Sequence, residues 1–164
     1  MSQCVFPGSF DPPTIGHMDL IRRAACIFDR VIVTVMVNIS KECVFPYEER
    51  VNMLRKICRD IPNTEVTFWN GLLADFIRQK EKQTVVVRGI RNSSELDLET
   101  TAAAVNRKIF PGMETVLIPA SGELTGYSSS AVREIARFRG DYRFLIPECI
   151  IEDVDRYLKK YNNN

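Results

Sequence analysis

The chain has 164 residues, 45% hydrophobic and 26% charged, with 22 basic and 21 acidic side chains and a net charge of +1. That length suits one ordinary globular domain, and the charge balance excludes the broad basic surface of a nucleic-acid or membrane-surface binder, so any anion site must be local. Five cysteines, an odd number without a C-x-x-C pair, and a single histidine speak against a disulfide framework and against a resident metal site.

Four of the cysteines lie in or beside apolar runs and are expected to be small buried hydrophobes. The N-terminus lacks the pattern of a signal peptide, and no apolar run approaches the ~18 residues of a membrane span. The expected location is the cytoplasm.

Along the chain, "QCVF" (Gln3–Phe6) reads as a strand, followed by the turn "PGSFDPPTIGH" (Pro7–His17), which contains the lone histidine. Met18, Ile21, Ala25 and Phe28 then recur at helical spacing. "RVIVTVMV" (Arg30–Val37) is almost continuously apolar, as a strand covered on both faces should be. "FPYEER" opens a second helix, with proline near its start, carboxylates in its first turn and a stripe of Val51, Leu54, Cys58 and Ile61. Strands are predicted at Glu65–Trp69, Thr84–Arg88 and Glu114–Pro119. A short helix is marked by Leu73, Phe76 and Ile77, and a longer one spans Ser94–Lys108. "SGELTGYSSS" reads as a loop, with helices at Ala131–Arg139 and Pro147–Tyr161 and a frayed tail over 161–164.

Strand and helix alternating in this way predict an α/β fold of the Rossmann-like, doubly wound kind. It has a parallel five-stranded sheet, helices on both faces and a helical C-terminal extension, with 1–164 forming a single domain. Such sheets take ligands outside the carboxyl ends of their strands.

The residues at those ends suit anions. Gly8 is placed where a chain leaving a strand often needs a glycine-only conformation. Thr14 can cap the next helix, which puts Gly16 and His17 in its first turn, among free N–H groups and the positive end of the helix dipole. Asp11 is read as fixing the turn. Lys41 follows the second strand, Arg88 and Arg91 end the fourth, and Ser128, Ser129 and Ser130 precede a helix. Each also has an ordinary reading: a proline-rich turn, a solvated lysine, a surface salt bridge for Arg91, a serine cap. Glu95, Asp97 and Glu99 alternate on a helix and do not converge on one ion, and solvated faces are expected for Glu95 and Asp97.

"PGSFDPPTIGH" resembles the G-x-F-D-x-x-T/H-x-G-H signature of the nucleotidyltransferase superfamily. With "SKECVFPYEER", "VVVRGIR", Glu99 and "YSSSAVRE" in order, about Gln3 to Pro147 resembles the bacterial phosphopantetheine adenylyltransferases. The resemblance implies transfer of AMP from ATP to 4'-phosphopantetheine, giving dephospho-coenzyme A and pyrophosphate in coenzyme A synthesis.

It further implies catalytic roles for His17, Lys41 and Arg88. ATP would be contacted by Ser9, Phe10, His17, Gly89, Ile90, Arg91, Glu99, Leu124, Thr125, Gly126, Tyr127, Ser128, Ser129 and Ser130, and the acceptor by Ser9, Lys41, Leu73 and Arg88. Arg133 would assist at the ATP phosphates. Mg2+ would arrive with ATP rather than in a protein cage, coenzyme A could bind as a feedback ligand, and a homohexamer is expected. The chain departs from the pattern at Ser9, where threonine is usual, and at Leu98, where many relatives carry tyrosine. Adenylylation of nicotinate mononucleotide, cytidylylation of a glycerol phosphate, and nucleotide binding without turnover stay open as alternatives.

Overall fold

The structure, a computed structural model, describes residues 2–37, 42–80 and 83–161. Five parallel strands form one sheet: β1 (Gln3–Gly8), β2 (Arg30–Met36), β3 (Thr64–Trp69), β4 (Thr84–Ile90) and β5 (Thr115–Pro119), in the order β3-β2-β1-β4-β5. The crossovers carry helices α1 (Ile15–Ile27), α2 (Tyr47–Cys58), α3 (Leu73–Arg78) and α4 (Ser93–Ile109), and α5 (Ser129–Arg137) and α6 (Ile151–Tyr161) follow the sheet.

Successive residues of a strand face opposite sides of the sheet, and the core divides accordingly. Cys4, Phe6, Val31, Val33, Val35 and Val87 join the larger cluster with residues of α1, α2, α5 and α6. Val5, Ile32 and Val86 join a smaller one with Ala74, Phe76, Ile77 and Met113. The near-continuous apolar run of β2 is therefore the signature of a strand covered on both faces.

Helix limits differ from the sequence reading where caps decide them. The long C-terminal helix is interrupted: Glu148–Ile150 is a 3-10 turn and the α-helix starts at Ile151. The serine-rich loop contains a further 3-10 turn, Gly122–Leu124, and ends at Ser128, whose hydroxyl accepts the Ala131 N–H, so α5 begins at Ser129. On α1 the buried residues are Leu20, Ile21 and Ala24, one step round the helix from the expected stripe.

Two expectations are corrected. Gly8 needs no glycine-only conformation: no glycine here has positive φ, and the strained residue of the turn is Phe10, at φ 49°. A side chain at Gly8 would collide with the Phe10 ring 2.9 Å away, so the glycine serves packing. The cysteines are mostly not core residues either, because Cys4 and Cys58 are buried while Cys26 and Cys149 are exposed and Cys43 is intermediate.

The topology positions a crevice. β1 and β4 are neighbours although far apart in sequence, the strand order reverses between them, and a ligand site forms at such a switch point. Their recorded pairing runs only from Gln3–Val5 to Thr84–Val86, while the strands continue to Gly8 and Ile90, so their carboxyl ends part.

Candidate active site

A cleft of about 590 Å³ opens at this parting. It is walled by the end of β1 and its turn, the start of α1, the end of β4, the first turns of α4 and the residues before α5. A second cavity of about 280 Å³ adjoins it, and Pro7, Gly8, Ser9, Arg88 and Glu99 line both.

His17 is fixed by a reciprocal cap at the start of α1. The Thr14 side chain accepts the His17 backbone N–H, and the Thr14 backbone N–H donates to His17 Nδ1 at 3.0 Å. Nδ1 is thereby an acceptor, so the neutral ring carries its proton on Nε2. The Phe10 ring meets the imidazole edge to face, with centroids 5.1 Å apart. Burial, then the Arg91 and Arg88 charges, lower the His17 pKa from 6.5 to about 4, so the ring stays a neutral donor at neutral pH. The Thr14 hydroxyl reaches the Tyr127 carbonyl at 3.4 Å, joining this turn to the approach to α5. A side chain at Gly16 would come within 3.3 Å of that same carbonyl.

The arginines are held in a different way. Arg88 grips Glu99 with two bonds, Nε to Oε2 at 2.8 Å and Nη2 to Oε1 at 2.5 Å, and its Nη1 donates to the Pro7 carbonyl at 2.6 Å. Arg91 makes a forked contact with both carboxylate oxygens of Glu95, and its backbone N–H donates to Glu95 Oε2 at 2.9 Å. Glu95 is therefore no solvated residue as expected. It lines the cleft, and the hydrogen bond from Arg91 holds its carboxyl below the usual range. Both arginines are pre-oriented by α4, with their positive charge at the cleft wall.

Asp11, 3% exposed, accepts the backbone N–H groups of Val44 and Phe45 at 3.0 and 2.8 Å and thus fixes the turn. Arg133 donates to the Asp11 carbonyl at 2.5 Å and to Ser130 Oγ at 3.3 Å. Ser129 Oγ donates to the Pro12 carbonyl at 2.7 Å. The helix start at Ser128–Ser130 is in this way tied against the β1–α1 turn, and two sets of helix N-terminal amides border one cleft.

Of the residues singled out from sequence, Ser9, Phe10, His17, Arg88, Gly89, Arg91, Glu99, Leu124, Tyr127, Ser128, Ser129 and Ser130 line this cleft together. Leu73 lines the second cavity. Ile90, Thr125 and Gly126 line neither: the Ile90 carbonyl accepts the Ala120 N–H, and Thr125 Oγ1 donates to the Gly122 carbonyl at 3.0 Å. Lys41 lies outside the described residues. At Gly89 a Cβ would lie 2.2 Å from Leu20 Cδ1, so the close approach satisfied there is to α1. Sequence reading missed Glu95, whose signal was its spacing of four from Arg91, a helical ion-pair distance. Among the described residues, no group of three or more His, Cys, Asp or Glu side chains is placed to hold a metal ion.

A parallel sheet with amide-rich helix starts and preset cations at its switch point is the architecture of a protein that handles phosphorylated nucleotides. A model of the cytidylyltransferase-like family matches residues 5–135. Proteins named phosphopantetheine adenylyltransferase are similar over nearly the whole chain. The one from Clostridium kluyveri is 42% identical over 164 residues, 99% of each chain, and one from Clostridium perfringens 44% over 151 residues, 92% of each. That from Clostridium tetani is 39% identical over 163 residues, 99% of each. The chain belongs to the cytidylyltransferase-like family and, within it, to the phosphopantetheine adenylyltransferases.

Among solved structures, a bifunctional NMN adenylyltransferase/ADP ribose pyrophosphatase from Francisella tularensis, complexed with AMP and a manganese ion, superposes with a TM-score of 0.68 at 15% identity. The match covers 99% of this chain and 49% of that one. A second structure of that enzyme gives 0.70 at 14% identity, covering 99% and 50%. These likenesses concern the fold.

Proposed function

We propose that the chain transfers the adenylyl group of ATP to 4'-phosphopantetheine, forming dephospho-coenzyme A and pyrophosphate in coenzyme A synthesis. The observation that carries this reading is the convergence of a neutral imidazole donor and two guanidinium groups on one cleft with two helix starts. An oxygen of the acceptor phosphate attacks the α-phosphorus of ATP. A P–O bond forms there, the α–β anhydride bond breaks, and pyrophosphate leaves with the electron pair. No protein nucleophile is required; the obstacle is repulsion between two polyanions, which fixed cations and N–H donors relieve.

Each group has a role set by its surroundings. His17 donates from Nε2 to an oxygen on the α-phosphorus as charge builds there, and Nδ1, occupied by Thr14, keeps the ring in that tautomer. Arg88, on the wall shared by the two cavities, holds the acceptor phosphate together with Ser9 and Lys41, while Leu73 receives the pantetheine arm in the second cavity. ATP lies along Ser9, Phe10, Gly89, Arg91, Glu99, Leu124 and Tyr127–Ser130, with Arg91 and the α5 start on its phosphates. Three carboxylates at the cleft are already engaged, Asp11 by backbone N–H groups and Glu95 and Glu99 by arginines, and Glu42 joins no cluster of metal-ligating side chains among the described residues. Mg2+ therefore enters on the ATP phosphates, where its charge offsets theirs.

The same reading places the protein in the cytoplasm, and no helix among the described residues is long and apolar enough to cross a membrane. Helix α4 has no buried residue, and Leu98 and Val105 are 70% and 55% exposed on it. An apolar face of this kind supports association of copies, with the homohexamer as the expected assembly. Coenzyme A, which contains the acceptor's chemistry, would compete for the second cavity.

Pyrophosphate release from ATP and magnesium, measured separately with 4'-phosphopantetheine, nicotinate mononucleotide and glycerol 3-phosphate, tests the reading. Release with the first alone is expected. Release with nicotinate mononucleotide alone assigns the other adenylyl transfer, and binding without release assigns a nucleotide-binding module.

A further inference from the structure

Arg50, in α2, is 5% exposed. Its Nη1 donates to the Ser9 carbonyl at 2.7 Å, and its buried Nε finds no hydrogen-bond partner. Among the described residues no carboxylate comes within the 4.0 Å of an ion pair with it, whereas Arg88, Arg91 and Arg133 around the same cleft each have one. A buried cation without a counter-charge is costly, and a neutral donor would tie down a carbonyl equally well. The charge is thus unexplained by the fold.

What lies on the other side of Ser9 explains it. Ser9 lines both cavities, at the wall they share with Arg88. A carbonyl oxygen turned toward this wall would repel a phosphate; the bond to Arg50 draws it inward. The next residue, Phe10, holds positive φ, a conformation that persists only where its neighbours fix it. We propose that Arg50 is a positioning residue for the acceptor phosphate: it turns the Ser9 carbonyl inward and supplies, across one peptide, a positive charge that the bound phosphate neutralises. This rests on the adenylyl-transfer reading.

The test compares Arg50→Gln, which keeps a donor and removes the charge, with Arg50→Lys, which keeps the charge. Arg50→Gln is expected to raise the KM for 4'-phosphopantetheine by about tenfold to thirtyfold, leaving the KM for ATP within about threefold, while Arg50→Lys recovers most of the loss. The wild-type acceptor KM is expected to rise more steeply with salt than that of Arg50→Gln. An unchanged acceptor KM, an equal rise for ATP, or a lysine variant as impaired as the glutamine one overturns the proposal. So does failure of Arg50→Gln and Arg50→Met to fold while Arg50→Lys folds, since the charge then belongs to the fold. If the wild type does not turn over 4'-phosphopantetheine, the functional reading fails. Arg50 is then judged by thermal stabilisation with inorganic phosphate, present in the wild type and lost in Arg50→Gln if the proposal holds; a shift retained in the variant overturns it.

Discussion

The β1–α1 turn and the β4–α4 junction face each other across the cleft and are built on opposite principles. In the turn, bonds to backbone groups set the polar residues: Asp11 takes two N–H groups and Thr14 and His17 cap each other, while the Phe10 ring props the imidazole. At the junction, long side chains meet carboxylates of a helix that buries none of its residues, and the Arg91–Glu95 pair keeps 34% and 25% of its side-chain surface in water. The first arrangement suits a donor that must already stand where charge will develop. The second suits a clamp whose cations are oriented yet can exchange a carboxylate for a phosphate.

His17→Ala is the strongest attempt to break this division. It is expected to lower kcat by about a hundredfold to a thousandfold, or ~3–4 kcal/mol of transition-state stabilisation, with the KM for ATP nearly unchanged. A large loss of ATP affinity at unchanged kcat would put His17 on the clamp side.

Acid stability probes the same residue without substrate. The folded imidazole takes its proton only near pH 4, whereas in the unfolded chain it does so near 6.5. Between these values the unfolded chain binds more protons. The stabilisation is therefore complete above pH 6.5 and is lost as pH falls toward 4, amounting to as much as about 3 kcal/mol. Melting curves from pH 7.5 to 4.5 are expected to show a steeper acid loss for the wild type than for His17→Ala.

Arg88→Met removes a clamp residue and leaves Glu99, with 19% of its side chain exposed, without its partner. The acceptor KM is expected to rise by about tenfold to a hundredfold, ~1.4–2.7 kcal/mol, with a smaller change in kcat, read from steady-state kinetics. Glu95→Gln is the mildest change. Loosening a partly exposed ion pair is worth less than ~1 kcal/mol, so the KM for ATP should shift no more than about fivefold. A collapse of kcat in this variant would show that the junction, too, must be rigid.

The motif turn was legible because it is local. A cap, a first-turn histidine and a helix start lie within a few residues of one another, and short-range bonds reproduce them wherever the rest of the chain goes. The limits of β2 and β5 were each found within a residue of the sequence reading, whereas β1 and β4 run two residues past it, to Gly8 and Ile90, where the cleft opens. Glu95 was misread because alternation along a helix says which way a carboxylate points but not what stands opposite. Its partner, Arg91, sits where β4 has just ended. Arg50 closes the quoted stretch "SKECVFPYEER", but nothing in its helical spacing told its burial against the Ser9 carbonyl from the exposure usual for a basic residue in an amphipathic helix. The misplaced demand on Gly8 came from assigning strain to the residue that tolerates it most easily, when packing had moved it to Phe10.

By itself the sequence determined the α/β alternation, the capped start of α1 and family membership, because periodicity, caps and ordered motifs are written in near neighbours. Only the tertiary structure decided which charges are compensated. It paired Arg88 with Glu99, Arg91 with Glu95 and Arg133 with Asp11, and left Arg50 against a carbonyl. A charge's worth depends on what surrounds it in space, and the sheet sets those surroundings by bringing β1 beside β4.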